Sequence, residues 1–86
     1  MGYYDSIICE ATGEIVKYYT QYEGDKDQKV LSFNFMDEIW MFRYFSTRNN
    51  PDRLLMKACD GIYHGRINNN IELQNFVDDI QVKNAK

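Results

Sequence analysis

Apolar and polar residues alternate along the first half of this chain and recur at helical spacing in the second. Up to Tyr22 the residues are rich in Ile, Val, Thr and Tyr, which favour a half-buried pleated surface. A hairpin is expected, with strands at about 3–10 and 14–23 and a short loop of Ala11, Thr12 and Gly13. Val16, Tyr18, Thr20 and Tyr22 would then share one face of the second strand. Tyr4, Ile8, Ala11, Ile15, Tyr18 and Tyr22 also fit a helical seam, a reading that the excess of β-branched and aromatic residues disfavours. A polar, turn-forming stretch at 24–28 leads to a third strand at 29–35, with Leu31, Phe33 and Phe35 facing the core. Connections this short join antiparallel neighbours, so the three strands form a meander.

Beyond the third strand the pattern lengthens. Asn34 is suited to cap a helix with Asp37 and Glu38 in its first turn, running to about Ser46. Ile39, Trp40, Met41, Phe42, Tyr44 and Phe45 make that segment apolar nearly all round, which suggests deep burial or a large binding face; a fourth strand is the alternative. The next start signal is stronger: Asn50 as cap, Pro51 at the first helical position, then Asp52. Leu54, Leu55, Ala58 and Ile62 follow at helical spacing, with Gly61 or Gly65 near the end. Asn69 and Glu72 resemble a capping box, ahead of Leu73, Phe76, Val77 and Ile80 at i, i+3, i+4 and i+7. The expected fold is one α+β domain over residues 1–86. A three-stranded antiparallel meander in the N-terminal half is packed by two or three helices from the C-terminal half.

Composition narrows the function more than the fold. Eighty-six residues, 44% apolar and 27% charged, suit one globular domain rather than a disordered tail. The longest unbroken apolar run is the four residues at 39–42, far short of the roughly 20 that cross a bilayer, so no membrane partner is expected. The opening residues lack the basic start and long apolar stretch of a secretory signal, which makes the cytoplasm the expected compartment. Net charge is −3 but unevenly spread: residues 1–40 hold eight acids against three lysines, and residues 41–66 hold five cations against two acids. Aromatics are 15% of the chain, seven of them tyrosines, more than a core this small absorbs, so some should face a partner.

Catalytic constellations are sparse. Cys9 and Cys59 are 50 residues apart without the paired spacing of a zinc or redox motif. Together with His64, the sole histidine, they would make three metal ligands with no evident fourth, and two small buried thiols are the better expectation. Asp37 with Glu38 and Asp78 with Asp79 are sequence neighbours that point about 100° apart on a helix, so they do not converge on one substrate atom. The glycines match neither a phosphate-cradling loop nor a dinucleotide fingerprint. No cofactor and no metal are expected, and enzyme activity is disfavoured.

Binding modules remain. In the leading reading Tyr18 and Tyr22 anchor a protein partner while Glu23, Asp25, Asp27, Asp37 and Glu38 steer it, which suits a basic partner or one that normally holds nucleic acid. In the alternative, Arg43, Arg48, Arg53, Lys57 and Arg66 track a phosphate backbone, against an overall pI near 5.0. A third reading makes the aromatic segment 39–45 an interface between copies of an oligomerising structural subunit. The opening Met-Gly-Tyr-Tyr-Asp-Ser-Ile-Ile-Cys resembles small phage proteins that begin Met-Gly-aromatic-aromatic-Asp before a strand, over about nine residues. Such proteins often continue into a cysteine pair suited to zinc, whereas this chain continues Glu10-Ala11-Thr12, so metal binding does not carry over. Residues with AT-rich codons (Phe, Tyr, Met, Ile, Asn, Lys) number 38, against 13 with GC-rich codons (Gly, Ala, Arg, Pro), which agrees with such a source. The resemblance implies a phage accessory protein that acts stoichiometrically in the host cytoplasm. It would block a host nucleic-acid-processing or defence complex, including nucleases guided by RNA, in an anti-CRISPR-like manner.

Overall fold

The computed structural model describes residues 2–84, excluding the side chains of Glu23, Asp25, Lys26 and Asn84. Four strands come first, β1 (Gly2–Ile8), β2 (Ile15–Glu23), β3 (Asp25–Phe35) and β4 (Glu38–Phe45); two helices follow, α1 (Pro51–Tyr63) and α2 (Asn70–Asn84). The strands form one antiparallel sheet in sequence order, and both helices contact it. The α+β class and the sheet-then-helix order agree with the sequence. The sheet has four strands rather than three, and β3 begins at Asp25, inside the stretch read as a turn.

The added strand is the segment expected as a helix. Trp40, Phe42 and Tyr44 are 3%, 1% and 2% exposed, whereas Ile39, Met41 and Phe45 are 73%, 51% and 41% exposed. That is the period-2 alternation of a strand, hidden in the sequence because both faces carry apolar residues. Asn34 therefore caps nothing and pairs with Ile39 across the β3–β4 hairpin. The hairpin turns at Met36 and Asp37, with φ of 52° and 63°. Two positive φ values in a two-residue loop usually call for Asn-Gly, so this turn lacks the residues that would announce it.

The inner face of the sheet is the core. Ile7, Val16, Tyr18, Leu31, Phe33, Phe35, Trp40, Phe42 and Tyr44 pack against Leu54, Leu55, Ala58, Cys59 and Ile62 of α1 and Leu73 and Val77 of α2. Asn50 caps α1 by accepting the Asp52 N–H at 2.8 Å, with Pro51 at the first helical position. Past the His64 cap the chain turns away at Gly65, with φ +76°, where the Arg66 N–H donates to the Gly61 carbonyl and the Gly65 N–H to that of Ile62. This is the paired-bond stop that glycine in the left-handed region supports. Asn69 caps α2 through the Glu72 N–H at 2.9 Å; Glu72 in return accepts from the Asn68 N–H, one residue before the expected partner.

Candidate functional site

The two surfaces of the sheet are unequal. Both helices cover the inner face, and no described element lies over the outer one. The outer face displays Tyr4, Lys17, Tyr19, Val30, Ser32, Ile39, Met41 and Phe45, with Ile8 and Ile15 paired at its rim. Tyr4 and Tyr19 stack across β1 and β2 with ring centroids 4.6 Å apart and planes tilted by 45°. Beside them lies a depression of about 290 Å³, lined by Tyr4, Lys17, Tyr19, Ser32, Asn34 and Ile39. Lys17 is exposed there and makes no ion pair with any described residue. On this uncovered face Tyr4, Tyr19, Ile39, Met41 and Phe45 are apolar groups among polar neighbours, the arrangement of an exposed patch rimmed by polar residues.

The two edges of the sheet are equally unlike. The register and the Cys9 N–H bond to the Glu14 carbonyl place the outward-facing backbone groups of β1 at Gly2, Tyr4, Ser6 and Ile8, and those of β4 at Ile39, Met41, Arg43 and Phe45. On the β4 edge, side-chain amides of α2 stand in for a fifth strand. Asn70 accepts from the Met41 N–H at 3.0 Å. Gln74 accepts from the Arg43 N–H at 2.8 Å and donates to its carbonyl at 3.0 Å. Gln81 accepts from the Phe45 N–H at 2.6 Å. Helix positions 70, 74 and 81 advance about 6 and 10 Å along the axis, close enough to the roughly 7 Å step between alternate strand residues to serve three sites. On β1 the Ser6 N–H is met, among the described residues, by the neighbouring Asp5 carboxylate at 2.8 Å.

The residues proposed from sequence do not gather in this way. Tyr18 is 2% exposed and donates its hydroxyl to Asp52 Oδ1 at 2.5 Å, so it is a core residue and cannot anchor a partner. Burial, with Asp52 next in effect, pushes its hydroxyl far above the usual tyrosine range. Tyr22 is exposed, with the Lys29 ammonium 4.8 Å from its ring centroid. Asp27 lies near the β2–β3 end of the sheet, and Asp37 and Glu38 at the other end of β3, a separation of about 25–30 Å at strand rise. The side chains of Glu23 and Asp25 lie outside the described part. Among the described residues, the acids Asp27, Asp37 and Glu38 are therefore divided between the two ends of the sheet.

The basic set is divided as well. Arg43 stands on the outer face and Arg48 lies over the Phe45 ring at 5.9 Å. Arg53 and Lys57 are exposed on α1, which packs against the opposite face. Arg66 pairs with Asp60 at 3.4 Å. The segment 39–45 is a strand whose inner half is core and whose backbone edge is already occupied, which removes edge-to-edge pairing of copies through β4.

Cys9 and Cys59 are buried free thiols that meet in the core, while His64 caps the exposed end of α1 with its Nε2 3.3 Å from Asp60. Among the described residues no three His, Cys, Asp or Glu side chains gather as a metal site. No helix of the described chain is long and apolar enough to cross a membrane.

Sequence reasoning missed the outer face because its residues belong to four strands, and it missed Asn70, Gln74 and Gln81 because they read as an ordinary polar helix side. The spacing by four and then seven residues of the amides at 70, 74 and 81, beside the Leu73 and Val77 stripe, was the available signal. Compared with family models, with curated proteins and with solved structures, the chain matches none.

Proposed function

We propose that this chain is a non-enzymatic protein-binding module, an inhibitor or adaptor acting by occupancy, whose partner seats on the outer face of the sheet. The observation that carries this reading is the uncovered face bearing Tyr4, Tyr19, Ile39, Met41 and Phe45, opposite a face fully packed by two helices. Four strands of about eight residues give the whole face, apolar and polar positions together, a projected area of roughly 500 Å², a large part of the ~800 Å² a stable interface buries per partner. The stacked tyrosines supply rigid anchors at low entropic cost.

Lys17 gives the partner a chemistry. A cation without an ion pair, set among Tyr4, Tyr19 and Ile39, matches an apolar protein surface that carries a carboxylate. A second copy fits less well, because the described outer-face positions carry Lys17 but no acid that a second copy could set against it. This reverses the polarity expected from the acidic residues.

The test compares capture of a partner from nuclease-treated lysate by the wild type, Ile39→Asp, Lys17→Glu and Arg53→Glu. Ile39→Asp and Lys17→Glu should each lower recovery at least tenfold with unchanged melting temperature, while Arg53→Glu, on the helix side, should not. Equal recovery by Ile39→Asp and the wild type would overturn the outer-face reading. Recovery that collapses with nuclease alone would replace the protein partner by nucleic acid.

A further inference from the structure

The two cysteines, 50 residues apart in sequence, belong to one buried core cluster, and the cavity that borders Cys9 is walled on its other side by Met56, Lys57 and Asp60, the α1 residues around Cys59. Cys9 follows β1 directly and its backbone is held on both sides: its N–H donates to the Glu14 carbonyl at 2.8 Å, and its carbonyl accepts from the Gly13 N–H at 2.7 Å. Cys59 lies in the third turn of α1 between Ala58 and Asp60. Both side chains are buried, at 1% and 0% exposure. Burial first, then Cys9 and Glu14, pushes the Cys59 thiol up to about 12. An open cavity of about 410 Å³, lined by Cys9, Glu10, Ala11, Met56, Lys57 and Asp60, reaches the pair from the Cys9 side. His64 sits at the exposed end of α1, so the described ligands suit thiol chemistry rather than a metal.

We propose that Cys9 and Cys59 are a covalent cross-linking site, closing a reversible intramolecular disulfide that ties the β1–β2 turn to α1. With a peroxide as oxidant, the Cys9 sulfur attacks one peroxide oxygen; the O–O bond breaks, the thiol proton goes to the leaving hydroxide, and one water departs. The Cys59 sulfur then attacks the sulfenic sulfur, its S–H proton goes to the departing hydroxyl, and a second water leaves. In balance, two thiols and one hydrogen peroxide give one disulfide and two waters. Cys9 reacts first because it borders the cavity, whereas Cys59 is held neutral behind it. Closing a loop of about 50 residues restricts the unfolded chain strongly, so the oxidised protein gains stability.

The test uses the intact reduced protein, folded at neutral pH, treated with equimolar hydrogen peroxide and then denatured and alkylated. The expected product is a monomer lighter by about 2 Da, with both thiols protected, a Cys9–Cys59 cross-linked peptide after digestion, and a melting temperature raised by more than about 10 °C. Dithiothreitol should restore both thiols and the original melting temperature. Unchanged thiols, gains of oxygen mass, or disulfide-linked dimers would each overturn the proposal. So would cross-linking seen only when the protein is oxidised in denaturant. Because the readout is made on the wild type, it does not depend on whether Cys59→Ser folds.

Discussion

Strand β4 presents two apolar rows of similar composition to two different environments. Trp40, Phe42 and Tyr44 join the core that α2 covers and disappear from solvent, while Ile39, Met41 and Phe45, one residue out of phase, remain exposed. The difference shows that side-chain hydrophobicity does not set burial here. The layer of helices on one side does. The two edges repeat the contrast, since α2 closes β4 with side-chain amides and leaves β1 open.

Four measurements break or sharpen that contrast. The largest effect should come from Phe42→Ala, with a loss of about 3–5 kcal/mol in denaturant unfolding, against about 0.5 kcal/mol or less for Met41→Ala on the other face. Equal losses would mean that the outer face is covered in the folded protein.

Alkaline titration probes the inner face alone. The buried hydroxyls of Tyr18 and Tyr44 and the thiol of Cys59 all titrate above their ordinary values, chiefly through burial. Each raised group favours folding fully below its unfolded pKa and loses that contribution as pH rises toward its folded value. Stability should therefore hold from neutrality to about pH 9, fall once unfolded cysteine ionises, and fall more steeply above pH 10 as unfolded tyrosine does, at about 1.4 kcal/mol per pH unit for each group. A flat profile to pH 11 would place these groups in water.

Gln74→Leu tests the closed edge. Losing both bonds to Arg43 should cost about 1–3 kcal/mol, and the freed edge of β4 should promote self-association measurable by light scattering. Unchanged stability and a strict monomer would show that the amides are incidental. The smallest effect belongs to the turn that sets the register of β4: Asp37→Gly should stabilise by about 1 kcal/mol, since glycine takes the left-handed region without strain.

Legibility followed how local each signal was. Both long helices were evident because Asn50 with Pro51, and Asn69 with Glu72, act within one turn of chain. The strands up to Phe35 were evident from alternation, although β3 begins earlier, at Asp25. The β4 segment was misread because an apolar residue stands on both faces and its turn is Met36-Asp37 rather than Asn-Gly. The binding site was misplaced for a related reason. Charge and aromatic content located acids and tyrosines along the chain, but Tyr18 and Tyr22 are on the same strand with opposite exposures, and Asp27 and Asp37 lie toward opposite ends of another.

By itself the sequence determined the α+β class, the antiparallel order of short-linked strands, and the helix starts and stops, because caps, turns and periodicity are properties of neighbouring residues. Only the tertiary structure decided which face of the sheet the helices would cover, that three amides of α2 would close one edge, and that Cys9 would meet Cys59. These pairings join residues about 30 to 50 positions apart, and their energy exists only once the chain has folded back on itself.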